Sequence, residues 1–419
     1  MEVPLNKKRT MWGTVALLLV VSASSLYAGG FQLNEAGARA MAQADAFAAR
    51  ATDASAIFFN PAGIAFQKGH SILFGTTLFA AVVSLYGPVK DANDPNIATE
   101  WDMKKQVFNP INVYAQFEVT NKLHAGIAVN NPYGLGTAWP DNWFGNNRTI
   151  KIDLQTFYVT PTVAYQITDK FSVGAGFNDV FGSVLLKKAV NEKLGYIDPS
   201  PTVSLDLKAK NAYGWNVGAQ YKLPYDISIG ASYRSKVKIE ATGTATFDQN
   251  YNSPMLPNSD ASANITLPAT GFAGISCKPM KNLEVEFDYQ YIGWSSYDTL
   301  AVNFTNPVLA RSADPKLYKD TYILRFGGEY TMGDVQIRAG YYFDHSPVPN
   351  ETLEPLLPDS DRNGFNIGAG YQFTKSIHAD ISYMFLKGAQ RKAEQTVSNI
   401  NGTYNTYVNL LGINFGYNF

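Results

Sequence analysis

Few side chains in this sequence could do covalent or metal chemistry. The four histidines are His70, His124, His345 and His378, and no two stand at metal-ligand spacing. Cys277 is the only cysteine, so no intramolecular disulfide can form. His378 falls on the polar face of an alternating segment, with no serine or aspartate set to complete a hydrolytic constellation. No catalytic residue, metal or cofactor is therefore expected. Binding chemistry is better represented. Arg234, Arg325 and Arg338 lie on polar faces of alternating segments, as do Glu284, Glu286, Asp288, Glu329 and Asp380. Such cations can hold a carboxylate ligand, or they can join the acids in an ion-pair network. Both readings stay open from the residues alone.

Those side chains must be positioned by strands. After residue 70 a period of two dominates. Tyr213, Trp215, Val217, Ala219 and Tyr221 alternate with Gly214, Asn216, Gly218 and Gln220. The same period recurs from Leu283 to Tyr291, and in Val335–Phe343, Phe365–Phe373 and Ile377–Phe385. Alternate residues of a strand point to opposite faces, so each segment has one apolar and one polar face. We read fourteen strands near 72–86, 107–119, 122–130, 153–166, 170–182, 205–221, 226–247, 261–277, 282–297, 318–331, 334–344, 363–373, 376–389 and 404–419. Tight turns such as Thr120-Asn121, Met332-Gly333 and Thr374-Lys375 alternate with long connections such as 87–106, 131–152, 183–204, 298–317 and 345–362. That alternation predicts an all-β membrane protein, a 14-stranded antiparallel up-and-down transmembrane β-barrel with its short turns in the periplasm.

Composition agrees. Of 419 residues only 16% are charged, against about 25% in an average soluble protein, while 46% are hydrophobic and 13% aromatic. The net charge of -1 gives no case for nucleic acid. No apolar run in the body of the chain is long enough for a spanning helix. Export is signalled by Lys7, Lys8 and Arg9, an apolar Met11–Val21 and small residues up to Ala28, which predicts a signal peptide over 1–28. The last strand alternates Leu411, Ile413, Phe415, Tyr417 and Phe419 with small or polar residues. Its terminal aromatics, Tyr417 and Phe419, are the expected assembly signal, read by the outer-membrane barrel assembly machinery before the strand closes the barrel.

Residues 29–70 do not alternate and are rich in alanine. Asn34 could cap a helix reaching about Arg50. Fourteen strands enclose more space than side chains can fill, so a plug of small residues, a hatch over 29–70 ahead of a barrel over 71–419, is expected.

At this point the residues resemble a known family. Gly30-Phe31-Gln32-Leu33-Asn34-Glu35 and then Asn60-Pro61-Ala62 look like the start and hatch motif of FadL/TodX-type outer-membrane transporters of long-chain fatty acids and hydrophobic compounds. The resemblance continues through Pro132-Tyr133-Gly134-Leu135, Leu154-Gln155-Thr156-Phe157, Tyr233–Ile239, Phe343–Pro349 and Pro358–Arg362 to the C-terminal strand. It implies a monomer that passively takes up long-chain fatty acids or aromatic hydrocarbons, with a hydrophobic small-molecule substrate and the lipid and lipopolysaccharide of a Gram-negative outer membrane as partners.

The resemblance also implies a route. Asn131, Pro132, Gly134 and Gly136 would kink the third strand and open the wall laterally, since proline breaks a ladder bond and glycine permits a bend. Leu186, Val190 and Leu194, spaced as one helical face, would form an extracellular groove with Tyr251, Met255 and Leu256, and Trp139, Trp143 and Phe144 could join it. Phe31, Leu33, Ile57 and Phe58 would wall a lumen pocket, with Arg234, Arg325, Arg338 and Arg362 as candidate partners of a carboxylate. The alternatives are a general porin for small polar solutes and, further off, an outer-membrane barrel enzyme.

Overall fold

The computed structural model describes residues 29–88, 98–190, 201–248, 256–394 and 396–419. The expected signal peptide and three expected groove residues, Leu194, Tyr251 and Met255, lie outside them.

Among the described residues, twenty-one strand segments build fourteen antiparallel strands, seven of which are in two pieces. They are β1 (His70–Pro88), β2 (Ala98–Asp102 and Ile111–Glu118), β3 (Leu123–Asn130 and Gly134–Ala138), β4 (Lys151–Thr168), β5 (Phe171–Ala189), β6 (Thr202–Lys222) and β7 (Ile227–Arg234 and Val237–Phe247). There follow β8 (Ser259–Leu267 and Thr270–Met280), β9 (Leu283–Ile292 and Thr299–Phe304), β10 (Ser312–Pro315 and Thr321–Met332), β11 (Val335–Asp344), β12 (Arg362–Gln372), β13 (Ile377–Gly388 and Arg391–Ala393) and β14 (Gly402–Asn418). β14 pairs β1 from Ser71↔Asn418 to Tyr86↔Thr403, so the sheet closes on itself and its first and last strands are not edges. The expected long connections are shorter than read. Strand pieces at Ala98–Asp102, Gly134–Ala138, Thr299–Phe304 and Ser312–Pro315 extend the wall beyond the membrane-facing band.

The polarity is that of a membrane barrel. Trp215 and Val217 face outward and are exposed, whereas Asn216 between them and Gln220 further along β6 are buried. Outward aromatics form two girdles. Tyr417, Phe373, Tyr371, Tyr330, Tyr221, Tyr165 and Phe117 ring the tight-turn end, and Tyr407, Phe365, Tyr291, Tyr233, Trp215, Phe177 and Tyr86 ring the other.

Residues 29–68 are almost wholly buried and hydrogen-bond to strands around the circumference. Tyr114 Oη of β2 donates to Ala36 O at 2.8 Å, Asn366 Nδ2 of β12 to Met41 O at 2.6 Å and Ser172 Oγ of β5 to Ala62 O at 2.9 Å. The expected helix from Asn34 to Arg50 does not form. Helical residues here are Ala38–Met41 and Ala56–Phe59, with a 3-10 turn at Pro61–Phe66. Ala44 and Asp45 take positive φ and end the first helix. The backbone N–H groups that follow go to β9 instead. Phe47 and Ala48 donate to Asp288 Oδ2 at 2.9 Å, and Ala49 donates to Glu286 Oε1 at 2.7 Å. Asn60 caps the 3-10 turn by accepting from Ala62 N and ties the segment to β6 by donating to Ala219 O at 3.0 Å. Inward glycines make room for this close approach. A Cβ on Gly174 would meet the Pro61 and Ala62 backbone, and one on Gly230 would meet Ala48.

Candidate functional site

The wall is interrupted at β3. Asn131-Pro132-Tyr133 separates its two pieces. Below the break β3 pairs β2 and β4 together, up to Asn112↔Asn130. Above it, Gly134–Ala138 pairs β4 alone. On the β2 side Lys104 N donates to Ala138 O at 2.7 Å, and between that bond and Asn130 the ladder between these two strands is missing among the described residues. Three features occupy the gap. The N-terminal segment takes the freed edge, with Leu33 N donating to Pro132 O at 2.8 Å and Gly134 N to Phe31 O at 3.0 Å. Asn131 bridges the flanking strands, accepting from Ile111 N and donating to Thr156 O at 2.7 Å. The Phe108 ring, from the linker between the pieces of β2, lies on Gly136, where any Cβ would overlap it.

Inside this gap the lumen changes character. The half nearer the long loops is apolar and aromatic. Phe31 is buried edge-on to Trp294 at 4.7 Å, Tyr297 at 5.3 Å and Tyr133 at 6.1 Å. Tyr133 spans to the opposite wall, donating its hydroxyl to Pro268 O at 3.1 Å. Inward positions on β13 and β14 are Leu386, Val408 and Leu410, all buried. The roof is made by Trp139 and Trp143, stacked at 4.6 Å, over Leu353, Leu356 and Leu357 of the connection after β11. Trp139 Nε1 donates to Pro355 O at 3.0 Å.

A narrow crevice runs along this chamber beside the gap. Leu33, Phe79, Phe108, Leu386 and Val408 supply apolar walls, and Gln32, Glu35 and Arg362 supply polar ones. Arg362 is the charged group of the barrel that borders it, its Nε and Nη2 donating to Asp344 Oδ2 at 3.0 and 2.6 Å. Asp359 lies in the same buried knot, accepting from Ser346 Oγ at 2.7 Å and, weakly, from Gly30 N at 3.4 Å. Burial pushes the Asp359 carboxyl up to about 7, against the pull of Arg362. Glu35 is raised for the same reason.

The half nearer the tight turns is polar. Arg338 donates to Glu329 Oε2 at 2.6 Å and to Asp380 Oδ1 at 2.5 Å. Arg39 and Arg50 of the N-terminal segment reach the same Glu329 at 2.9 and 2.8 Å. A cavity open toward the turns is lined by Arg39, Arg50, Asp53, Arg338, His378 and Asp380.

The expected pocket residues therefore separate. Phe31, Leu33 and Arg362 meet at the chamber and crevice. Ile57 and Phe58 do not, since they pack in a second apolar cluster with Leu73, Tyr114 and Ala128. Arg325 and Arg234 grip the N-terminal segment, donating to Ala44 O at 2.8 Å and Phe58 O at 3.0 Å, and Arg338 belongs to the ion-pair network. The helical face expected over Leu186 and Val190 is absent. Leu186 lies on β5 opposite Leu205, because the strand continues to Ala189. Leu186, Val190 and Leu256 nevertheless share one apolar cluster at the outer mouth. Trp139 and Trp143 are buried in the roof, while Phe144 is exposed. Tyr417 and Phe419 face outward at the closing strand. Phe108, Trp294 and Tyr297 escaped the sequence reading. Pro110, two residues after Phe108, is the signal that the ladder stops there.

A family model described as outer membrane protein transport protein (OMPP1/FadL/TodX) matches residues 19–419. Outer membrane protein P1 of Haemophilus influenzae is 25% identical over 97% of this chain and 98% of its own. The long-chain fatty acid transport protein of Escherichia coli K12 is 25% identical over 98% of this chain and 100% of its own. Among solved structures, a Pseudomonas aeruginosa FadL homologue superimposes with a TM-score of 0.80 at 19% identity, covering 93% of this chain and 100% of that one. The Ralstonia pickettii toluene transporter TbuX gives 0.68 at 19% identity, covering 91% and 98%. These two share the fold.

Proposed function

Because the chain belongs to the outer membrane protein transport family (OMPP1/FadL/TodX), we propose a specific route for the hydrophobic molecules that this outer-membrane barrel takes up. The N-terminal segment acts as a hatch. Cargo enters at the outer mouth over the apolar cluster of Leu186, Val190 and Leu256, passes under the Trp139–Trp143 roof into the chamber around Phe31, and follows the crevice to the wall gap at β3. Exit is lateral, past Phe108, into the membrane. The observation that carries this reading is that Leu33 and Phe108 line both the crevice and the stretch of unpaired wall.

Thermodynamics favours such a path. Moving an apolar chain from water to an apolar wall is downhill by about 25 cal/mol per Å², and a lateral exit spares it from re-entering water. No energy input is needed, so uptake is passive. Long-chain fatty acids are the favoured cargo, since Arg362 stands at one end of the crevice where it can meet a carboxylate. Aromatic hydrocarbons are the second reading, favoured by the edge-on rings around Phe31. The C-terminal strand, with Tyr417 and Phe419, directs assembly by the barrel machinery, and the closed barrel works as a monomer.

Mass spectrometry of ligand retained by the purified protein tests the assignment. A C16–C18 fatty acid is expected. A protein that retains no apolar ligand and passes a large steady current in planar bilayers would be a porin instead.

A further inference from the structure

The outer wall carries a second irregularity, on the far side of the barrel from β3. β7 breaks at Ser235-Lys236, β8 at Pro268-Ala269 and β9 at 293–298. The ladders are regular on either side, with Arg234↔Thr270 below and Val237↔Leu267 above. The break on β7 shifts the alternation. Arg234 and Val237 are both buried inward, so Lys236 and Lys238 both point outward and are exposed. β6 slips likewise between its pairings Val180↔Ala212 and Gly182↔Ala209, which leaves Lys208 and Lys210 exposed directly above Tyr213.

The result is a groove on the lipid-facing surface at the girdle nearer the long loops. Tyr213, Trp215, Tyr233 and Tyr291 form its floor, with Lys236 and Ser296 on its rim. Tyr213 is 62% exposed and Trp215 is 49% exposed. The Ser296 hydroxyl is buried without a hydrogen-bond partner among the described residues. Among those residues, none of Lys208, Lys210, Lys236 and Lys238 is in an ion pair. Two carboxylates on the same outward faces, Asp206 and Glu240, are exposed, and two more are held: Asp179 by Asn211 at 3.0 Å, and Asp320, beside the floor, by the Tyr291 hydroxyl at 2.6 Å and Ser295 N at 2.8 Å. The lysines outnumber the free acids, and long side chains at an interface can lay their stems on apolar surface while the ammonium reaches polar surroundings.

We propose that this groove binds the lipopolysaccharide of the outer leaflet, its acyl chains on the Tyr213–Trp215–Tyr233–Tyr291 floor and its sugar phosphates on the four lysines. Position argues for that lipid. The lysines lie on the long-loop, extracellular side of the aromatic girdle, level with the headgroups of the outer leaflet. The outer leaflet is built of acylated, phosphorylated sugars, and several ammonium groups above an aromatic floor match several phosphates above several chains. A bound lipid there would fix the rim of the uptake mouth.

Native mass spectrometry of the detergent-solubilised full-length mature protein tests this, with Kdo2-lipid A as probe. Wild type should retain one molecule, and the K208Q/K210Q/K236Q/K238Q variant should bind at least about tenfold more weakly, the loss expected when charge-assisted bonds are removed. Dephosphorylated lipid A should bind wild type as weakly as the probe binds the variant. Resistance to SDS unfolding at room temperature reports that the barrel has formed, and K236Q/K238Q serves if the quadruple variant does not fold. Equal retention by wild type and folded variant, or equal binding of the dephosphorylated probe, would overturn the proposal. So would phosphatidylglycerol binding as tightly as Kdo2-lipid A.

Discussion

Arg362 borders the crevice while Asp344 holds its guanidinium in place. A fatty-acid carboxylate reaching it would gain a charge-assisted hydrogen bond worth roughly 1.5–3 kcal/mol. Arg362→Ala should therefore weaken oleate binding about 10- to 100-fold in a fluorescence displacement assay, and Arg362→Lys should restore much of it. Arg338→Ala should leave affinity unchanged, since that side chain is committed to Glu329 and Asp380. Asp359 supplies a pH dependence. It faces Arg362, Asp344 and Arg391, and its carboxyl is raised to about 7 in the folded protein against an ordinary value of 3.8. Between those values the folded state binds more protons than the unfolded one, so docking of the 345–361 connection weakens as pH rises from about 4 to about 7 and is level above that. Proteolysis of that connection should be slower at pH 5 than at pH 8, and Asp359→Asn should flatten the difference.

At the scale of elements, β3 and the linker inside β2 form one device. Pro132 removes a donor, Gly136 leaves room, and the Phe108 ring occupies it. Phe108→Ala should raise the rate of oleate uptake into cells, by a few-fold at most if entry at the mouth then limits. Replacing Pro132 and Gly134 with valine should extend the ladder and lower uptake, with barrel folding unchanged. The strands were legible in the sequence wherever one face was polar, as in Tyr213–Tyr221. They were less legible near the outer mouth. There Val408 and Leu410 face inward while Tyr407 faces outward, so both faces are apolar and alternation fades. The helix expected over 34–50 failed for a non-local reason. Asp288 and Glu286, more than 230 positions away, accept the N–H groups that would have continued it. The break in β3 between Asn130 and Gly134 was readable from Pro132. Phe108 as its occupant was not, because that contact spans two strands whose ladder has parted.

For the whole molecule, the two halves of one lumen differ in chemistry. The half nearer the tight turns holds the N-terminal segment, tied by ion pairs around Glu329 above the cavity open to the turns, and the half nearer the loops is apolar. Loosening the first should turn a closed barrel into a leaky one. The double variant Glu286→Ala/Asp288→Ala strips acceptors from four consecutive N–H groups, Phe47 to Arg50, at about 1–3 kcal/mol for each group left unsatisfied. Its single-channel conductance should rise well above that of wild type, whose current should be small.

On the proposed route, cargo leaves through the wall between β2 and β3. A Phe108→Cys/Gly136→Cys pair in a Cys277→Ser background, bridged by a one-carbon bis-methanethiosulfonate linker, would close that gap reversibly. Oleate uptake by cells carrying the bridged protein should fall to the level of cells lacking it, and recover when dithiothreitol removes the bridge. Undiminished uptake through a fully bridged barrel would contradict the lateral route.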